Sequence, residues 1–427
     1  MIQRPRGTRD FTPAEMSLRR VIEGTLFSTA TSFGYQEVAT PTFELAELFL
    51  KKSGASIIEQ MYIFKDKSDR ELVLRPELTA PVIRFYANDL YKQPKPLKLF
   101  YFGNCYRYER PQKGRFREFW QFGAELIGTN NAEGIAELVA FAYSCIANIK
   151  LKAFELRIGY LEILKDILTS WNIPIENQSN LMILIDKGDL DSLRAELESS
   201  GLDDLQVENF TELIMDKFKA IEFNDRYKQL LERFPMISNN LERFKNIIEF
   251  LDTFGLHDVT IDMGIARGLD YYTGMVFEID VPKLGAEKQV CGGGEYSLDE
   301  LFNLRDVACS GFAIGFDRLT LAYEIAGLKV PENILDIYIV PLTTLGLEKG
   351  IEISSRLRNC GFKVDLDVKR RNMSKNLKYA SSRGARFVIF LGEDELNHGT
   401  ATIREMESGE QVKIKFDKLT EHFQKIL

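Results

Sequence analysis

YFGNCYRYERPQKGRFREFWQFGAELIG, residues 101–128, decides how the rest of the chain is read. It has the pattern of two strands joined by a basic turn. Strand side chains alternate between faces with a period of two. Even positions of the second strand, Trp120, Phe122, Ala124 and Leu126, are almost wholly apolar and belong against a core. Odd positions carry Arg107, Glu109, Arg115, Arg117, Phe119, Gln121, Gly123 and Glu125. A half-buried hairpin usually turns a bland mixture of Lys, Thr and Ser outward. Arginines, carboxylates, an amide and one ring on a single face are an inventory for gripping a charged ligand. A solvated face with incidental ion pairs is the competing reading, and the rest of the chain weighs against it.

At 427 residues the chain is expected to form two to three domains. Its 45% hydrophobic and 28% charged content is that of a soluble globular protein with a sizeable core. No apolar run is long enough to span a membrane, and MIQRPRGTRDF at the N-terminus lacks the apolar segment of a signal peptide. Cys105, Cys145, Cys291, Cys309 and Cys360 are far apart, with no C-x-x-C spacing. That argues against a disulfide framework or structural zinc, and for a reduced, cytoplasmic protein. The three histidines, at 257, 398 and 422, argue against a His base or a His-held metal. A net charge of −8 disfavours a polybasic nucleic-acid binder but leaves room for a local basic surface.

Upstream, residues 4–13 (RPRGTRDFTP) read as an extended lead-in, with Thr12-Pro13 opening a helix. Leu18, Val21, Ile22, Leu26, Ala30 and Phe33 follow helical spacing, and Gly34 closes it. Residues 35–41 read as a strand and 45–52 as a short helix. ELVLR, 71–75, is a strand that Pro76-Glu77-Leu78-Thr79 turns into a helix through Tyr86. Glu77 and Thr79 stand where ligands are often held, or equally where an acid and a hydroxyl cap a helix.

Residues 164–241 shift to a helical pattern without recognisable chemistry. At 259 VTIDM, the loop GIARGLDYYTG and MVFEIDV make a hairpin-like unit. Its loop holds Arg267, Asp270, Tyr271 and Tyr272 between glycines, which let a backbone approach a ligand. QVCGGGEY is a strand running into three glycines. Residues 310–314 are another strand, and Gly315-Phe-Asp-Arg318 opens a helix, where an arginine opposes the dipole unless an anion or ring awaits it.

After a linker at 331–335, strands and helices alternate, predicting a small α/β domain with a largely parallel sheet. Between 363 and 386, eight Lys or Arg face only Asp365 and Asp367, a local net of +6. The patch is either a solvated helix face or a phosphate-facing surface.

Arg107-x-Glu109, the turn to Arg115 and Phe119-Trp-Gln121-Phe-Gly-Ala-Glu125 resemble the second signature motif of class II aminoacyl-tRNA synthetases, in the form found in the histidyl-tRNA synthetase family. Arg267-Gly-Leu-Asp-Tyr-Tyr-Thr-Gly274 resembles that family's histidine-specific peptide. Gly311-Phe-Ala-Ile-Gly-Phe-Asp-Arg318 is similar to the third class II motif, and Arg6-Gly-Thr-Arg-Asp-Phe11 and Arg75-Pro-Glu-Leu-Thr79 match further segments. The likeness covers nearly the whole chain.

The resemblance implies an α/β multidomain protein: an antiparallel class II sheet flanked by helices (1–170 and 241–328), a helical insertion (171–240) and an α/β anticodon-binding domain (333–427). It implies ATP-dependent activation of L-histidine and transfer to the 3′ end of tRNA(His). Arg107 would bridge the histidine carboxylate and the α-phosphate, and Arg267 would add a second cation where related enzymes use a metal. Glu109, Phe119 and Arg318 would hold adenine, and Arg115 the outer phosphates. Histidine would be bound by Glu77, Thr79, Gln121, Glu125, Tyr271 and Tyr272 together with the two central arginines. Mg²⁺ would accompany ATP with no metal held by the protein itself, and Lys369, Arg370 and Arg371 would face tRNA. The family is expected to be homodimeric through the region up to about Lys52. Where the family often shows an Arg and an Asp around the tyrosine after the glycines, this chain has Gly294-Glu295-Tyr296-Ser297. Two alternatives stand beside the enzyme: a non-catalytic regulatory relative, which usually lacks the C-terminal domain and the arginines, and an RNA-sensing module.

Overall fold

The computed structural model describes residues 2–50, 58–110, 114–266, 272–297, 307–328 and 335–427. It divides into two compact units, Met1–Lys329 and Val330–Leu427.

In the first unit the lead-in ends at Thr12, the cap of helix α1 (Pro13–Ser32). Thr12 Oγ1 accepts from the Glu15 N–H, and the Glu15 carboxylate accepts from the Thr12 N–H at 2.7 Å. This reciprocal box, with proline at the first position, fixes where the helix starts. Gly34, at φ +78°, supplies the left-handed turn just beyond its end. The strand expected over 35–41 is only β1 (Gln36–Glu37). A separate three-stranded antiparallel sheet follows, made of β2 (Phe43–Leu45), β3 (Tyr62–Lys65) and β4 (Glu71–Leu74), with the short α2 (Glu47–Leu50) after β2. Helix α3 (Thr79–Phe85) comes next.

The central hairpin is β5 (Leu97–Tyr106) and β6 (Glu118–Ile127), with Gly103 opposite Gln121 and Leu99 opposite Glu125. Then come α4 (Ala132–Asn148), β7 (Glu155–Tyr160), α5 (Leu161–Ser170), α6 (Ile175–Lys187), α7 (Leu190–Ser199) and α8 (Asp204–Met215). They are followed by β8 (Lys217–Lys219), α9 (Phe223–Arg233), α10 (Ser238–Thr253), β9 (Val259–Asp262), β10 (Tyr272–Asp280), β11 (Gln289–Ser297), β12 (Ala308–Gly315) and α11 (Phe316–Ile325). The nine-stranded sheet runs β1-β5-β6-β12-β11-β10-β7-β9-β8.

The even face of the hairpin is the core. Phe100 and Phe122 meet Phe27 of α1 and Phe141 of α4, with Phe27–Phe100 ring centres 5.2 Å apart. The fully buried rings among them, Phe100, Phe122 and Phe141, each contribute roughly 1.5–3 kcal/mol. With α1 and α4 on that side, the odd face is left for the site.

The segments around the 264–274 loop are not paired with each other: β7 lies between them, parallel to β9 and antiparallel to β10. Alternation identifies a strand but not its neighbour, and this neighbour is about a hundred residues upstream. The helical stretch also contains a strand, since β8 pairs antiparallel with β9, Lys217 opposite Asp262. Among the described residues no helix is long and apolar enough to cross a membrane.

The second unit holds β13 (Ile337–Pro341), α12 (Thr344–Asn359), β14 (Val364–Leu366), α13 (Met373–Ser382), β15 (Phe387–Leu391), α14 (Glu393–His398), β16 (Thr400–Glu405), β17 (Gln411–Lys415) and α15 (Leu419–Ile426). Its sheet order is β14-β13-β15-β16-β17. Only β13 has parallel neighbours on both sides; β16 pairs antiparallel on both, so the sheet is mixed rather than largely parallel. Ile337, Ile339 and Ile389 pack with Ile353, Leu357 and Phe423 on one face, and Tyr338, Val340 and Val388 with Ala380 on the other.

Candidate active site

Glu125 sits on the open face of β6 with only 1% of its surface exposed. Both oxygens are engaged: the Tyr101 hydroxyl donates to Oε1 at 2.9 Å, and the Tyr296 hydroxyl to Oε2. Thr79 Oγ1 lies 3.2 Å from the Tyr101 hydroxyl. Glycines make the room. A Cβ on Gly311, opposite Glu125 in the sheet, would stand 1.9 Å from Glu125 Oε2. Gly311→Ala is therefore expected to displace the carboxylate and, where Glu125 holds histidine as the resemblance implies, to abolish detectable histidine binding, measured by titration calorimetry.

Burial pushes the Glu125 carboxyl up to about 8 from its ordinary 4.5; the tyrosine hydroxyls oppose this, and the charge of Glu77 adds to it. A carboxyl raised in the fold contributes stability that is full below the unfolded value and lost as pH rises through the folded one. Between about pH 4.5 and 8 the ligand-free protein should thus lose melting temperature relative to Glu125→Gln, which cannot titrate. A pH-independent difference between the two, by scanning fluorimetry, would contradict the protonated pocket.

Glu77 does cap α3: its oxygens accept from the Thr79 N–H at 2.5 Å and the Ala80 N–H at 3.0 Å. Thr79 points its hydroxyl at that of Tyr101. Burial raises the Glu77 carboxyl, against the pull of those amides and of Arg107. Gln121 accepts from Cys105 Sγ at 3.3 Å. Tyr272 faces Tyr296 across the β10–β11 pair, and burial pushes its hydroxyl far above the usual range. Tyr101, Tyr296, Tyr272 and Phe119 share one cluster with Leu78 and Cys105.

Beyond this pocket the charges alternate. Arg107 donates to the Pro76 carbonyl at 2.9 Å, with its guanidinium 5.3 Å from the Phe119 ring centre and 4.0 Å from Glu109. Arg115 lies 3.8 Å from Glu109 and 3.1 Å from Glu287. Arg318 pairs with Glu287 at 2.7 Å and donates to the Gln289 carbonyl at 3.1 Å. Glu287 does not stand out in the sequence, where it is one acid in an unpatterned loop. Arg267, Asp270 and Tyr271 lie outside the described residues.

The sequence departure at 294–297 has a simple geometry. Tyr296 turns into the pocket and Glu295 away from it, where Arg243 of α10 holds it at 2.9 Å and the Met275 N–H donates at 2.8 Å. In the second unit Lys369 and Arg370 are exposed, but Arg371 is half-buried. It pairs with the buried Asp367 at 2.7 Å and lies over the Tyr379 ring. Arg371 thus also makes contacts within its own unit.

A family model described as Histidyl-tRNA synthetase matches residues 7–319, and one described as Anticodon binding domain matches 336–426. The chain is 45% identical over 425 residues to a histidine–tRNA ligase of Methanocaldococcus jannaschii, covering 98% of this chain and 99% of the relative. It is 44% identical over 421 residues to a histidine–tRNA ligase of Archaeoglobus fulgidus, with 98% of both covered. A solved histidyl-tRNA synthetase from a Nostoc species superposes with a TM-score of 0.85 over 100% of both chains; at 23% identity it speaks for the fold alone. Because these matches span the catalytic motifs and the second unit alike, the chain belongs to the histidyl-tRNA synthetase family.

Proposed function

We propose that the chain activates L-histidine with ATP and esterifies it to the 3′ end of tRNA(His). The observation that carries this reading is Glu125: a buried carboxyl held by two tyrosine hydroxyls, whose raised hold on a proton suits it to share one with an imidazole, with Tyr272 beside it. Glu77 and Thr79 would take the amino group, and Gln121 the carboxylate side. A histidine carboxylate oxygen attacks the α-phosphorus, the bond to the bridging oxygen breaks, and pyrophosphate leaves with the electron pair. Fixed cations that orient both anions and absorb developing charge are the main requirement. Arg107 would serve there, joined by Arg267, and Tyr271 belongs to the same histidine-specific peptide by the family resemblance. Glu109 accepts from the adenine amino group, Phe119 stacks on one face with Arg318 toward the other, and Arg115 reaches the outer phosphates. Mg²⁺ would arrive with ATP, held through its phosphates and waters. Radiolabelled histidine appearing on tRNA(His) only with both ATP and the protein tests the whole reading. The present arginines and the second unit favour it over a regulatory relative.

Residues 171–240 would lie against the acceptor stem, and 333–427 would read the anticodon. Within the latter, Lys369 and Arg370 face the tRNA phosphates, with Arg371 bracing them. Neutralising Lys369, Arg370 and Lys375 should flatten the salt dependence of tRNA binding by about 0.7–0.9 in slope for each phosphate left without its cation. Filter binding across a salt series measures it; an unchanged slope would make the patch a solvated face.

A homodimer is part of the proposal. Phe43, Leu45 and Phe64, on one face of the three-stranded sheet, are 54%, 51% and 42% exposed. Contiguous apolar patches of this kind mark association surfaces. Sedimentation at micromolar concentration should give twice 49.0 kDa, and Phe43→Asp with Leu45→Asp should give monomer.

A further inference from the structure

Beside the proposed adenine slot lies a buried carboxylate with no part in the chemistry above. Asp317, 6% exposed, opens α11 immediately before Arg318. The β6–β12 ladder ends at Gln121 opposite Gly315, where β12 gives way to the helix. The next backbone donor along β6, the Trp120 N–H, is taken by Asp317 Oδ2 at 2.7 Å. The side chain thus replaces the ladder bond that the strand can no longer supply, at the residue between Phe119 and Gln121.

The other oxygen, Oδ1, is anchored from two directions: Arg19 of α1 at 2.7 Å and Arg9 of the lead-in at 2.6 Å. Arg19 is itself 5% exposed, with its guanidinium over the rings of Phe11, Trp120 and Phe316 at 4.3, 4.7 and 4.7 Å. Arg9 lies over Phe116 at 3.3 Å. One carboxylate therefore fixes four segments against each other, including the strand that carries Phe119 and the helix that carries Arg318.

We propose that Asp317 is a positioning residue that sets the width of the slot between Phe119 and Arg318, with Arg9 and Arg19 holding it in place. The inference rests on the adenine assignment above. A shift of the stacking ring relative to the arginine should weaken nucleotide binding while the histidine pocket, built on Glu125, Tyr101 and Tyr296, stays as it is.

The test is histidine-dependent ATP–pyrophosphate exchange, varying ATP and histidine in turn, well below each variant's melting temperature. Exchange by the parent protein tests the functional reading; the variants test this inference. Asp317→Asn keeps an oxygen for Trp120 but loses the charge for both arginines. It should raise KM for ATP about tenfold or more, with KM for histidine within about twofold. A lowered melting temperature with both constants unchanged, or an equal rise in both, would overturn the proposal and leave Asp317 purely structural. Arg9→Gln leaves the Trp120 hydrogen bond and the core untouched and should shift ATP alone by a smaller factor. If Asp317→Asn does not fold, Arg9→Gln decides by itself: a selective rise in KM for ATP supports the slot, and an unchanged value overturns it.

Discussion

Glu125→Ala should lower kcat/KM for histidine in the activation step by about 10³-fold, the scale of truncating one partner of a buried hydrogen-bonded pair. Sites built around such a polar contact reject analogues lacking it by about 10⁴–10⁵, because the site's own group is left unpaired. Here the pairing is already arranged, since Tyr101 and Tyr296 aim both hydroxyls at the carboxylate. Removing it takes a strong acceptor from two buried hydroxyls, so the alanine variant should also melt earlier. Glu125→Gln keeps an acceptor for one hydroxyl and separates the effects: its histidine loss should persist with less loss of stability. ATP affinity, carried by Glu109, Phe119 and Arg318, should remain within a few-fold of the parent. A structural ion pair is the other role open to a buried glutamate, and the described hydrogen-bond partners of Glu125 are uncharged hydroxyls. Unchanged histidine kinetics in both variants would sink the assignment.

Deleting residues 335–427 should leave activation near the parent level while aminoacylation efficiency falls by about 10² or more, the scale of losing one of two linked binding modules. The second unit has its own two-faced core, and every assigned activation residue precedes it. Parallel exchange and charging assays on one preparation measure the split. Equal loss of both activities would mean that the second unit supports the first catalytically.

How much of the fold and the site is legible in the sequence follows from the range of each signal. The hairpin can be read because period two and unusual residue types coincide within one stretch, and Gln121 and Glu125 share a face by spacing alone. The capping box at Thr12 is equally local. Strand neighbours are not local, so β7 between β9 and β10 and the short β8 cannot be read. Asp317 and Glu287 escape for the same reason: their importance lies in partners far along the chain, Arg9, Arg19 and Trp120 for one, Arg115 and Arg318 for the other. The basic patch is visible as charge, but only the pairing with buried Asp367 distinguishes Arg371 from Lys369 and Arg370. The assignment of Arg267 and Tyr271 rests on the family motif.

The most direct measurement is exchange of labelled pyrophosphate into ATP by the purified protein, with each amino acid supplied in turn. Histidine alone should support exchange, and the signal should vanish in Glu125→Ala. Exchange supported by a different amino acid, or none with histidine under conditions where the protein is folded and binds ATP, would contradict the account.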